Sequence, residues 1–165
     1  MEYKLEPSPR LRTSKSVFSA GVEREWTPTV TFAVPGDLNV VYSKRVGHSV
    51  LFGSMVTCFF NIVTTTFTHT TALGVMQISG VPHRGRSTGV EGVGTNVFTV
   101  GNLTWRGITA AGYTSIMPEI VLDNDYFILK LSGSAQAPTS VTVSEAPTGG
   151  TINLVGAVTY ITKLA

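Results

Sequence analysis

The groups that could do chemistry in this chain are few and scattered. Its three histidines, His48, His69 and His83, show neither the His-x-x-x-His nor the Glu-x-x-His spacing that brings ligands to one zinc ion. No metal site is expected, and a surface or subunit-contact role is the ordinary one for such residues. Cys58, the single cysteine, excludes an intrachain disulfide. It stands in an apolar run with no neighbouring His or Arg to lower its pKa, so it reads as a small buried hydrophobe. Asp123 and Asp125 could be imagined as acid and base for glycoside cleavage, which needs two carboxyl groups facing one bond. Their setting, Asp123-Asn124-Asp125 between two apolar runs, is that of a hairpin turn, where Asp and Asn are favoured for backbone reasons. Neither an enzyme nor a cofactor is expected.

Binding is better provided for than catalysis. The segment HRGRSTGVEGVG, from His83 to Gly94, mixes glycines with two arginines. It lacks the Lys-Ser/Thr ending of a phosphate loop and the glycine spacing of a dinucleotide fold. Either it is a long connection, or it is an exposed loop that meets a ligand or another protein, with His83, Arg84 and Arg86 as the ligand contacts. Trp105 and Arg106 set an aromatic face beside a guanidinium, a pair suited to stacking on a sugar ring and bonding its hydroxyls. For Trp105, packing in the core or under a neighbouring subunit is the favoured alternative. These five residues are the candidate ligand contacts.

The composition describes the elements that must position them. Charged residues make up 13% of the chain, about half the ~25% usual in soluble proteins, while hydrophobic residues reach 42%. Much of the remainder is 23 threonines, 14 serines and 17 glycines. Threonine is β-branched and suits strands, and its hydroxyl keeps a strand's outer face wet without charge. A weakly charged surface also repels its own copies poorly, which favours association. The net charge of +2 is too small and too scattered for a nucleic-acid footprint. No apolar run approaches the ~20 residues of a membrane span, and the opening Glu2, Lys4 and Glu6 leave no apolar signal core. Synthesis in the cytoplasm without membrane insertion is expected.

At 165 residues the chain suits one domain. Residues 1–25 are polar and aperiodic and read as an N-terminal arm, and residues 26–165 as the folded domain. Short apolar or alternating runs follow: TVTFAV, LNVVYS, VLFG, MVTCFFNIVTTT, GVMQIS, TNVFTV, LTWRGI, YTSIM, EIVL, YFILKL and TINLVGAVTYITKL. In the run from Met55, residues Val56, Cys58, Phe60, Ile62 and Thr64 share one face, and Thr57, Phe59, Asn61, Val63 and Thr65 the other. The first face is the more apolar, and both could be buried. Many short strands and no helix of more than two turns predict an all-β antiparallel sandwich or jelly roll.

The order of motifs resembles a known family. WTPTVTF, then VVYSKRVGHSVLFGSMVTCFFNIV, then the corner Ile78-Ser79-Gly80-Val81-Pro82 and the closing INLVGAVTYIT are similar to the C-terminal knob modules of bacteriophage tail fibres. The likeness runs from about Trp26 to Ala165. It implies a homotrimer of β-sandwich subunits on a virion, made in the host cytoplasm and recognising a host-surface glycan. The arm would then attach to other virion proteins, with Tyr3, Leu5, Leu11, Val17 and Phe18 as apolar anchors and Arg10, Arg12 and Lys15 meeting acidic or polar surface. One departure matters: no internal repeat or coiled-coil heptad encodes a fibre shaft. Capsid decoration proteins use similar small trimeric sandwiches, so a decoration or adaptor protein that stabilises neighbouring virion subunits is the alternative.

Overall fold

The computed structural model describes residues 21–86 and 99–162. The arm anchors named above, most of the glycine-rich loop and the start of the TNVFTV run lie outside the described residues. Ten strands follow one another: β1 (Val22–Trp26), β2 (Thr29–Val34), β3 (Asn39–Phe52), β4 (Met55–Thr68), β5 (Leu73–Ser79), β6 (Val100–Arg106), β7 (Ser115–Ile120), β8 (Tyr126–Gly133), β9 (Gln136–Ser140) and β10 (Asn153–Ile161). They form two antiparallel sheets. Sheet I has the order β1-β3-β4-β10-β6, and sheet II the order β2-β5-β8-β7 with β9 beside β8. The all-β sandwich expected from the sequence is the architecture observed.

The core fills the space between the sheets through period-two alternation. Val56, Cys58, Phe60 and Ile62 of β4, with Leu154, Val158 and Tyr160 of β10, face Phe32, Met76, Ile78, Phe127, Leu129 and Leu131 of sheet II. Full burial of each large apolar side chain contributes about 1.5–3 kcal/mol. Thr64, the polar member of the inward face of β4, is buried but satisfied: its hydroxyl accepts from the Ile152 N–H at 2.8 Å. The β7–β8 hairpin turns at Asp123-Asn124-Asp125 as expected, with Asp123 in the left-handed region at φ 58°.

Four elements differ from expectation, each for a local reason. Val22–Glu25, assigned to the arm, form most of β1 and pair with β3. Their pattern is charged because β1 is an edge strand, exposed until Trp26. LNVVYS and VLFG are parts of a single strand, β3, that continues through Gly47-His48, since Gly47 there makes room for the Trp26 ring. YTSIM and EIVL likewise merge across Pro118 in β7, an edge strand of sheet II, where a missing N–H removes no ladder bond. β9, read from QAPTS, is too polar and short to signal itself. It is placed by Val141, whose N–H donates to Leu129 and whose carbonyl accepts from Met76, wedging the segment between β8 and β5.

Candidate functional site

The two sheets treat solvent differently. In register, the outward face of sheet I aligns Glu25, His48, Phe59, Ala157 and Asn102 in one row and Val46, Asn61, Val155 and Thr104 in the next. Rows on either side add Val50, Thr57 and Thr159, then Lys44, Val63, Asn153 and Arg106. Val46 is 55% exposed, Phe59 47% and Val155 42%, although all three are apolar residues on the central part of a sheet. With Ala157, Asn61, Asn102 and Thr104 they line a shallow depression of about 560 Å³. The outward face of sheet II mixes Thr29, Thr31, Gln77, Ser79, Lys130 and Ser132 with Val75, Tyr126, Ile128 and Met117.

No ionisable residue of β4 or β10 reaches this outer face. Their two titratable groups, Cys58 and Tyr160, both point inward and are buried. Charge sits at the rim: Glu23 and Glu25 on β1, Lys44 on β3 and Arg106 on β6. His48 lies 3.7 Å from Glu23, the nearest ion-pair partner on the face. Thr57 and Thr159 satisfy each other across the strands at 2.9 Å. The Asn61 Oδ1 atom is covered yet makes no hydrogen bond among the described residues.

The candidate ligand contacts fall at two places. Arg84 and Arg86 are exposed on the segment that follows the Gly80 corner. That segment is tied to the end of β10: the Tyr160 hydroxyl donates to the His83 carbonyl at 2.6 Å, and the Arg86 N–H donates to Ile161. The His83 imidazole is half-buried with Nε2 unpartnered, and burial, with Arg24 nearby, holds its pKa below the ordinary value. Trp105 and Arg106 pair with Leu154 and Asn153 at the opposite end of β10. At about 3.3 Å per residue, some 20–25 Å separate the two groups. The structure therefore does not gather the five residues into one pocket. Trp105 faces inward and packs on the core, while Arg106 is exposed on the outer rim of sheet I.

The remaining reactive groups have structural surroundings. His69 is buried in edge contacts with Phe32 and Phe67, at ring distances of 5.0 Å and 5.9 Å. Cys58 is buried with its thiol 3.6 Å from the Tyr160 hydroxyl, and burial pushes its pKa up to about 11. Among the described residues, no three His, Cys, Asp or Glu side chains gather in a way that could hold a metal ion. The outward apolar face of sheet I was not singled out from sequence. Its signal was present in the second face of β4, where Phe59 and Val63 alternate with uncharged residues.

Comparison with known proteins adds a fold likeness. No protein-family model matches the sequence, and no curated protein does. Among solved structures, the chain is similar to the Dettilon tailspike protein (gp208), with a TM-score of 0.63 and 11% sequence identity over 87% of this chain. The match spans 24% of the tailspike's own length.

Proposed function

We propose that this chain is a phage virion structural protein of the tail, a trimeric fibre- or spike-type knob that its N-terminal arm attaches and that binds host-surface glycan. The observation that carries the reading is the superposition of most of the sandwich on part of a tailspike. The motif order from Trp26 to the closing strand supports it independently. Its task is adhesion rather than chemistry: the candidate acid and base, Asp123 and Asp125, occupy the β7–β8 turn, where they serve the backbone. Three copies on one knob, and several knobs on one particle, would multiply a weak sugar affinity by raising effective concentration.

The test is to label the protein on intact particles and image them at low resolution, then to compete particle adsorption with the recombinant chain. Label at the tail and competition for adsorption are expected. Label spread over the capsid lattice, with no competition, would replace this reading by the decoration protein. Deleting residues 1–19 tests the arm in the same assay, with loss of incorporation and retention of folding and oligomeric state as the expected result.

A further inference from the structure

We propose that the outward face of sheet I is the surface through which copies of this chain associate, centred on Phe59, Val46 and Val155. The proposal deepens the oligomeric part of the functional reading and rests on it. Antiparallel sheets with one face on the core ordinarily turn polar residues outward. Sheet II departs from that rule less, exposing Met117 on its edge strand and Val34 and Leu73 at the paired ends of β2 and β5, whereas sheet I exposes Val46, Phe52, Met55, Phe59, Val100 and Val155 on the same side. Isolated exposed apolar side chains need no explanation, but a group of them spread over neighbouring strands around the uncharged β4 and β10 marks an interaction surface.

Its size and rim identify the occupant as a second copy. Five strands about 4.8 Å apart and the nine residues of β10 give a face of about 20 by 30 Å. That is about 600 Å² in projection, and side-chain relief brings it near the ~800 Å² that specific interfaces take from each partner. The rim carries both signs, Glu23 and Glu25 on the β1 edge and Lys44 and Arg106 toward the other end. A partner of uniform charge would meet repulsion at one side of such a rim, while another copy brings the complement of each. The depression between Phe59, Val155 and Thr104 can receive an apolar side chain. Association through sheet I leaves the outward face of sheet II free for other contacts.

The experiment measures the mass of the full chain by light scattering at micromolar concentration, beside Phe59→Lys, Val155→Lys and, on sheet II, Thr31→Lys. Wild type and Thr31→Lys are expected to be oligomers, and the two sheet I variants to fall to the 17.6 kDa monomer or to associate at least a hundredfold more weakly. A wild-type monomer overturns the oligomeric reading itself. A wild-type oligomer that both sheet I variants preserve, while folded, overturns only the assignment of the face, and loss of glycan binding in those variants would make it a ligand site instead. A second readout does not depend on the lysine variants folding. Cys58 is buried, so a thiol placed by Thr159→Cys or Thr31→Cys is the one a maleimide reaches. Labelling at least tenfold slower at position 159 than at position 31 supports the face, and equal rates overturn it.

Discussion

The Tyr160 hydroxyl reaches from the end of β10 to the backbone carbonyl of His83, 2.6 Å away. Desolvation raises the phenol pKa, with Cys58 adding to the shift, so the hydroxyl keeps its proton and remains a donor. Thr162 repeats the link two residues on, its hydroxyl donating to the Arg84 carbonyl at 2.8 Å. The arginine-bearing segment is thus fixed to the sandwich by its backbone, leaving both guanidinium groups outside. Tyr160→Phe removes the donor and strands a partly buried carbonyl, which is expected to destabilise the fold by about 1–3 kcal/mol. Faster amide exchange at Arg86 than at core positions of β10 is the accompanying sign. Unchanged exchange there would show that the bond does not hold the segment.

Gly47 and Trp26 form a second fixed point, where the edge strand β1 closes over β3. A β-carbon at position 47 would lie 2.5 Å from the indole, against ring atoms with no freedom to withdraw. Gly47→Ala is expected to displace Trp26 and destabilise by about 1–3 kcal/mol, the range for overpacked sites. Thermal unfolding and the tryptophan emission maximum report the two effects separately. A variant with wild-type emission and melting would mean that β1 moves without loss.

The same pair explains much of what the sequence concealed. Alternation made β4 legible residue by residue, because every inward side chain from Val56 to Thr64 is apolar or locally satisfied. The Asp123–Asp125 turn was legible because the backbone there requires residues tolerant of positive φ. In contrast, Gly47 resembled a turn while lying inside a strand, since the reason for glycine is a ring contributed from another strand. Pro118 resembled a break for a related reason: only the sheet order reveals that β7 is an edge. The candidate ligand residues were chosen by type, and type carries no information on which end of β10 each would occupy.

Asp37 shows how a turn signal can hide a tertiary latch. Its carboxylate accepts from the N–H groups of Thr70 and Thr71 at 2.8 Å and 2.7 Å and also from both hydroxyls, joining the β2–β3 and β4–β5 turns. These donors, led by Thr70, hold its pKa well below the usual carboxylate range. A depressed folded pKa contributes stability above the unfolded value near 3.8 that is lost as pH falls through and below it. Asp37→Asn should therefore melt below wild type at neutral pH, and the gap should narrow below about pH 4. A gap independent of pH would assign the loss to shape rather than charge.

Because some 20–25 Å separate them, Arg84 with Arg86 and Trp105 with Arg106 cannot share one small sugar. The exposed pair beside the Gly80 corner is the better adapted to an external ligand, while Arg106 lies on the rim of the proposed copy interface. Replacing Arg84 and Arg86 together by Ala is expected to weaken binding to host glycan at least tenfold and leave the oligomer intact. Arg106→Ala is expected to alter association more than glycan binding. The reverse pattern, read by glycan capture and light scattering on the same samples, would move the ligand site to sheet I.

The buried thiol supplies a prediction at the opposite end of the pH scale. Cys58 is fully enclosed, so its ionised form would stand in apolar surroundings, and its pKa rises from an ordinary 9.0 to about 11. A raised folded value favours the native state below the unfolded pKa, where the thiol is neutral in both states. Above pH 9 the unfolded chain gains by releasing the proton while the folded one retains it, so stability declines until about pH 11. The decline from this group is on the order of 2 kcal/mol. The measurement is a difference: denaturant unfolding of wild type and Cys58→Val at pH 8 and pH 10.5. Cys58→Val is expected to be less stable at pH 8, where it lacks the thiol's contact with Tyr160, and to lose less on going to pH 10.5. Parallel losses in the two proteins would show that Cys58 does not carry the alkaline transition.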